Sequence, residues 1–120
     1  MVNTTGFLNT IKSGIQDTII TNATHMAVGD DNTTPTVGDT ALGNELTRKT
    51  IQETTKGISD VIISLFLNST ESNGNSLKEV GMFDDPSSGN LLERSVFTTI
   101  SKTSSIEVWI DIEEQIDVTQ

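Results

Sequence analysis

The sequence contains no cysteine and no tyrosine, and only one histidine, one tryptophan and two prolines among its 120 residues. Without cysteine, disulfide bonds, thiolate metal sites and a cysteine nucleophile are all excluded. The single histidine, His25, excludes sites built from several imidazoles. No apolar run reaches transmembrane length, and we expect no signal peptide, because the first residues lack a charged start and an apolar stretch. The sequence therefore predicts neither a disulfide scaffold nor a membrane-inserted protein.

Positive charge is also scarce. Seven Lys and Arg residues stand against seventeen Asp and Glu residues, which gives a formal net charge of −10. This is the wrong sign for binding a nucleic-acid backbone or docking on an anionic membrane, so we expect neither partner. Hydrophobic residues make up 33% of the chain and aromatic residues 4%, so the core of the expected single domain is thin.

The N-terminal segment, residues 4–20, is predicted to form an amphipathic helix. Its apolar residues recur at helical spacing and form one stripe: Phe7, Leu8, Ile11, Ile15 and Ile19. Such a stripe must be buried, either on the chain's own sheet or on a neighbouring molecule, and the sequence leaves both open. We assign residues 1–20 to this helix, as a candidate assembly or docking element, and residues 21–120 to a β-domain.

The β-domain is predicted from segments whose alternation or β-branched content is typical of strands. These segments are residues 24–29, 47–56, 58–68, 77–83, 91–100 and 106–112. Residues 47–56 are predicted to be an exposed edge strand, and residues 58–68 a strand buried on both faces. Residues 39–46 are predicted to form one helical turn. The fold class is mainly β: an antiparallel β-sandwich of five to seven strands with one N-terminal amphipathic helix.

Trp109 is a further interface candidate, because it lies on the acidic face of the last predicted strand. On an isolated chain this position would leave a large ring in water, and exposed tryptophans are enriched at interfaces. Two coverings stay open at this stage. Either another subunit packs on Trp109, or the second sheet or the helix of the same chain covers it.

The sequence offers little for catalysis, and we expect no enzymatic activity. His25 is the only imidazole, and no serine lies in a Gly-x-Ser-x-Gly elbow. Two loop pairs, Asp30-Asp31 and Asp84-Asp85, carry the hard oxygen ligands that calcium prefers, so they are weak metal candidates. The same residues are common in turns that bind nothing. Calcium is the one cofactor that the sequence leaves open.

Two segments together resemble a known group of proteins. The first runs from Met26 to Lys49 and reads MAVGDDNTTPTVGDTALGNELTRK. The second is similar to the pattern E-x-G-L-F-D followed by G-x-L-L-x-R, and reads EVGMFD at residues 79–84, with Met in place of Leu, and GNLLER at residues 89–94. Phe97-Thr98 and the last strand, residues 106–112, continue the similarity. This order resembles small tail-fibre and tail-associated structural proteins of tailed viruses, bacteriophage or archaeal, over residues 24–113. The motif positions are Asp39, Leu42, Glu45, Arg48, Gly81, Phe83, Asp84, Leu91, Leu92 and Arg94.

The resemblance implies a virion structural protein, in the tail fibre or baseplate, that forms homo-oligomers and connects to other virion proteins. The first motif positions would mark the turn before the long strands, and the later ones a hairpin of the β-domain. Such a protein would be assembled in the host cytoplasm and located in the tail or on the capsid surface. A capsid decoration or turret protein is one alternative. A glycan-binding module for the host surface with calcium-stabilised loops is another, and a small hydrolase is the third.

Overall fold

A computed structural model describes residues 4–118, which form one helix and seven strands. The elements are α1 Thr5–Asn22, β1 His25–Gly29, β2 Glu45–Thr50, β3 Glu53–Lys56, β4 Asp60–Leu67, β5 Ser76–Phe83, β6 Leu91–Ser101 and β7 Val108–Gln115. All neighbouring strands are antiparallel, and the predicted mainly β fold class is confirmed. Residues 1–3 and 119–120, which the sequence assigned to the helix and the β-domain, lie outside the described residues.

The strands form two sheets. The first sheet has the order β2-β1-β5-β6 and the second has the order β3-β4-β7. The chain crosses from one sheet to the other at Ile51 and Gln52. The Ile51 N–H donates to the Thr24 carbonyl at 3.1 Å, and the Gln52 N–H donates to the Ser64 carbonyl at 2.8 Å. The predicted edge strand is therefore two strands, and its crossing closes one side of the sandwich.

The core lies between the sheets and is built from residues that alternate along the strands. Its buried members are Ala23, Met26, Val28, Val61, Ile63, Leu65, Leu67, Leu77, Val80, Met82, Val108 and Ile112. The alternation predicted for the last strand is confirmed. Strand β4 is not fully buried on both faces, because Ile62 and Phe66 on its outer face are only half-buried. Within residues 4–118 no second layer covers that face completely, and this is why the prediction for β4 was wrong.

Helix α1 docks on the body through its polar side. The Gln16 side chain is only 2% exposed, and its Nε2 donates to the carbonyls of Gly57 at 2.8 Å and Asp60 at 2.9 Å. Asp17 pairs with Lys56 at 2.9 Å. These contacts hold the helix against the β3–β4 turn. No helix within residues 4–118 combines the length and apolar content that a membrane span requires.

The predicted apolar stripe is divided between body and solvent. Ile19 packs against the core and Leu8 is half-buried, whereas Phe7, Ile11 and Ile15 are 52%, 37% and 41% exposed. The molecule measures 58 × 29 × 25 Å. Its radius of gyration of 16.1 Å exceeds the value of about 13.6 Å expected for a compact domain of this length. Most of the stripe lies on the side of α1 that the body does not cover.

Residues 39–46 do not form the predicted helical turn. They are irregular until β2 begins at Glu45. Such a turn would begin with Asp39 or Thr40 as its cap, but the Asp39 carboxylate accepts from the N–H of Thr36, which precedes it, at 3.0 Å. The prediction was wrong because an Asp side chain can bond either way along a chain, and a backward bond stabilises a turn instead.

Gln16→Ala is expected to loosen the helix. The change leaves two backbone carbonyls without their donor at a buried site, and such a loss costs about 1–3 kcal/mol of unfolding free energy. Asn9→Ala, at an exposed helix position, is the matched control. Chemical denaturation gives the free energy, and amide hydrogen exchange shows whether the loss is in α1. Unchanged exchange in α1 would contradict the assigned role of Gln16.

Candidate functional site

The outer face of the first sheet is covered by residues 30–44, which we call the cover loop. Leu42 is the only buried residue of this loop, and it packs with Ala27, Phe83 and Leu91. Gly81 lies directly beneath it. A Cβ at Gly81 would lie 2.7 Å from Leu42 Cδ2, which is closer than real Cβ contacts. The observed packing of Leu42 therefore requires glycine at this position.

A buried carboxylate, Glu79, holds the cover loop to the sheet. Its side chain is fully buried. Oε1 accepts the N–H of Gly43 at 2.8 Å, and Oε2 accepts the N–H groups of Asp31 and Asn44, both at 3.0 Å. Oε1 also accepts Nε of Arg94 at 2.9 Å. Four donors on one carboxylate stabilise its charge, and three of them are backbone groups of the cover loop.

Arg94 completes the attachment from the neighbouring strand. Its guanidinium donates to the carbonyl of Thr33 at 2.9 Å and to Oδ2 of Asp39 at 3.3 Å. Burial lowers the pKa of Arg94, but Glu79 and Asp39 more than offset this and raise it above its usual value. Arg94 therefore remains charged and links the first sheet to both arms of the cover loop.

A second arginine fixes the hairpin turn between β5 and β6. The guanidinium of Arg48 lies 3.5 Å from the ring centroid of Phe83, a cation–π contact. It donates to both carboxylate oxygens of Glu45, at 2.6 and 3.1 Å, and to the carbonyls of Asp85 and Ser88, at 3.0 and 2.8 Å. Strand β2 is thus tied to the turn that follows β5.

Asp84 closes the same turn. Its Oδ1 accepts the N–H of Asn90 at 2.7 Å, and its Oδ2 accepts the Asn90 side-chain amide at 3.0 Å. The hairpin that the resemblance implies is confirmed, because Gly81 pairs with Arg94 and Phe83 with Leu91 in the sheet register.

All the motif positions except Leu92 fall into these contacts, which we call the outer-face cluster: Asp39, Leu42, Glu45, Arg48, Gly81, Phe83, Asp84, Leu91 and Arg94, joined by Glu79. Leu92 is 42% exposed and lines a surface groove with Ile19 and Met82. The motif therefore marks residues that hold the cover loop and the hairpin in place.

Glu79 is the first residue of the second motif but was not counted among the candidate site residues, although this residue is the centre of the cluster. The signal was the one carboxylate of β5, directly before the mainly apolar residues 80–83. A charge at such a position needs a buried partner. Arg94 fills that role, but it can be identified only once the register between β5 and β6 is known.

Three of the four metal candidates accept hydrogen bonds within local turns, and Asp30 accepts one across the cover loop. Asp30 Oδ1 accepts the Asn44 side chain at 2.7 Å, and Asp31 Oδ1 accepts the Thr33 N–H at 2.6 Å. Asp85 Oδ2 accepts two backbone N–H groups, and Asp84 binds Asn90 as described. Within residues 4–118, no three His, Cys, Asp or Glu side chains come together as metal ligands. The geometry matches the turn interpretation of these residues.

Trp109 lies far from the cluster, on the outer face of the second sheet. It is 50% exposed, its ring centroid is 5.7 Å from that of Phe66, and its Nε1 donates to Asp111 at 2.7 Å. Neither the first sheet nor the helix covers it among the described residues, so of the two alternatives that the sequence left open, covering by the same chain is not observed. Phe66 and Trp109 are paired near one end of the second sheet, whereas α1 docks at the other end, beside Asp60.

Comparison with family models and with curated proteins finds no match to this chain. The resemblance to virus tail proteins therefore depends on the residues of the two segments alone.

Glu79→Gln is expected to destabilise the protein by about 3–5 kcal/mol, because it removes the fully buried counter-charge of Arg94 and leaves only partly exposed carboxylates beside it. It should also expose the cover loop to proteases. Glu107→Gln, an exposed carboxylate on the body, is the control and should change the unfolding free energy by less than about 0.5 kcal/mol. Chemical denaturation and limited proteolysis measure the two effects. A loss below about 1 kcal/mol would contradict the central role of Glu79.

Low pH is expected to destabilise the cover loop and the turn between β5 and β6. A backbone hydrogen bond from Thr36 lowers the pKa of Asp39, and hydrogen bonds from Asn90 lower the pKa of Asp84. Because folding lowers the pKa of both carboxylates, they stabilise the folded state fully above their ordinary pKa of 3.8. This stabilisation is lost as the pH falls through the lowered pKa values.

We therefore expect the melting temperature to fall between about pH 5 and about pH 2, and Asp39→Asn/Asp84→Asn to flatten that fall. The double variant should be less stable than the wild type at pH 7, because it lacks the charged acceptors. Asp117→Asn, at an exposed position outside the cluster, should keep the wild-type dependence. Thermal denaturation across this range checks the result, and parallel curves for wild type and double variant would contradict it.

Proposed function

We propose that this protein is a non-enzymatic structural subunit of a virion, in the tail fibre or baseplate, that assembles with copies of itself through helix α1. One observation carries the proposal. The helix is docked by its polar side and leaves Phe7, Ile11 and Ile15 in solvent. An amphipathic helix normally buries its apolar stripe, so a stripe on the free side supports a partner.

The lack of charge on the free side of α1 makes this side suited to contact with a second copy of the chain. The chain carries a net charge of −10, so most surfaces of two copies repel each other. The only charged residues of α1 are Lys12 and Asp17, and both contact residues of the body, Lys12 at Ser59 and Asp17 at Lys56. The free side of the helix is therefore uncharged and apolar. Copies related by symmetry can bury this side against itself.

The virion assignment is supported by the resemblance of residues 24–113. In this interpretation the outer-face cluster gives the subunit a rigid body. Its motif residues are held by hydrogen bonds and packing to each other. The body would then present α1 to neighbouring subunits.

Ile11→Ser/Ile15→Ser is expected to raise the dissociation constant of the assembly at least tenfold, since burying each isoleucine contributes about 1 kcal/mol or more. Ile58→Ser is the matched control, because Ile58 is 87% exposed and lies outside the helix. Light scattering and sedimentation over a range of concentrations measure the mass. A wild-type protein that stays monomeric, or a double variant that assembles equally well, would contradict assembly through α1.

The virion location is tested separately. Antibodies against the protein are applied to purified particles from cells that carry its gene, and the label is located by electron microscopy. Label on the tail supports the proposal. Label on the capsid surface would favour the decoration or turret alternative, and unlabelled particles would contradict a virion role.

A further inference from the structure

The sandwich is open along the side opposite the β2–β3 crossing. Strands β6 and β7 each end their sheet, and within residues 4–118 neither has a hydrogen-bonded neighbour on its outer edge. A groove of about 770 Å³ runs between these two edges. We call it the β6–β7 groove. It is lined by residues 93 and 95–100 of β6 and 109–113 of β7, with Val80 at its base.

The groove combines an apolar wall with carboxylates. Phe97, Ile100 and Ile110 are half-buried and continue the core outward into the groove. Glu93, Asp111 and Glu113 are its charged lining residues, and the lining contains no Lys or Arg. The site is therefore apolar along its wall and negative at its rim.

The edges of the groove also differ from the edge of β3 in how they are protected. Strand β3 carries Lys56, whose side chain is partly exposed, and a cation on an edge strand discourages pairing with another chain. Strands β6 and β7 contain no Lys and no Pro, and the single cation of β6, Arg94, is turned into the outer-face cluster. Their backbone edges are thus left available to a strand of suitable charge.

We propose that the β6–β7 groove binds an extended, basic segment of another protein, which adds as a strand to one of these edges. Main-chain hydrogen bonds would hold the segment, apolar side chains would pack on the wall, and alternate Lys or Arg residues would meet the carboxylates. The lining covers five residues of β7 and a longer stretch of β6. At about 3.3 Å per residue, a segment of about five to eight residues would fit.

A second copy of this chain is a poor occupant. Four of its seven cations already form ion pairs within the chain: Arg48, Lys49, Lys56 and Arg94. A fifth, Lys102, is buried against Asn73 and the carbonyl of Thr103. The chain therefore has no basic strand to offer, and its net charge of −10 opposes a second copy at an acidic groove. The partner is expected to be a different, basic protein.

The test uses the only tryptophan of the chain, because Trp109 lines the groove and its fluorescence reports on binding there. The probe is a tryptophan-free peptide of about eight residues that alternates Val and Lys. Saturable binding is expected, weakening at least about tenfold between about 50 and about 300 mM salt. Two control peptides carry Glu in place of Lys, or Pro in place of every second Val, and neither should bind. The measurement is repeated in Ile11→Ser/Ile15→Ser, so that assembly through α1 cannot produce the signal.

Charge variants give the decisive comparison. Glu93→Lys/Glu113→Lys should lose the basic peptide and bind the Glu-containing one. Glu53→Lys/Asp117→Lys has the same net charge, with both changes outside the lining, and should behave like the wild type. If the first variant does not fold, Glu93→Gln/Glu113→Gln should weaken binding of the basic peptide at least about tenfold. Absence of binding to the wild type, equal binding of the Pro-containing or Glu-containing peptide, or an unaffected groove variant would each overturn the proposal.

Discussion

The buried ion pair between Glu79 and Arg94 is the constraint on which the outer face of the first sheet depends. Removing two charges from water is costly, and their attraction offsets that cost only when the remaining hydrogen-bonding groups are satisfied. The cover loop supplies those groups, with three N–H donors to Glu79 and carbonyl and carboxylate acceptors to Arg94. The loop in turn has one buried residue, Leu42. The buried ion pair and the cover loop are therefore stable only in each other's presence.

Local periodicity was enough to predict most of the elements, but not the contacts between them. The alternation of β7 and the apolar stripe of α1 repeat within a few residues, so both could be found from the sequence. The crossing at Ile51 could not, because nothing in a polar edge strand shows where it changes sheets. Glu79 and Arg94 lie fifteen positions apart, and a pair at that distance is defined only by the strand register. The stripe itself does not tell which side of the helix docks, since that depends on Gln16 and the carbonyls it reaches.

The few cations of the chain are used mainly inside the structure. Arg94 and Arg48 stabilise the outer-face cluster, while Lys49 and Lys56 connect separate elements through Glu71 and Asp17. Few positive charges are left to balance the acidic surface, so the negative charge remains uncompensated at places such as the β6–β7 groove. The chain thus presents two unlike surfaces, one acidic and one uncharged. Each favours a different class of partner.

The orientation of α1 is the strongest argument that the isolated chain is not its final state. If the helix served only to stabilise this chain, the lower free energy would be reached with Phe7, Ile11 and Ile15 buried on the body. Instead, a buried amide and an ion pair hold the opposite side. Hydrogen bonds are directional, so these contacts fix which side faces out, whereas apolar contacts alone would not. The exposed stripe breaks the rule that an amphipathic helix buries its apolar side. Such exceptions are expected at binding surfaces. Assembly through the stripe would bury these apolar side chains while the helix keeps its present contacts with the body.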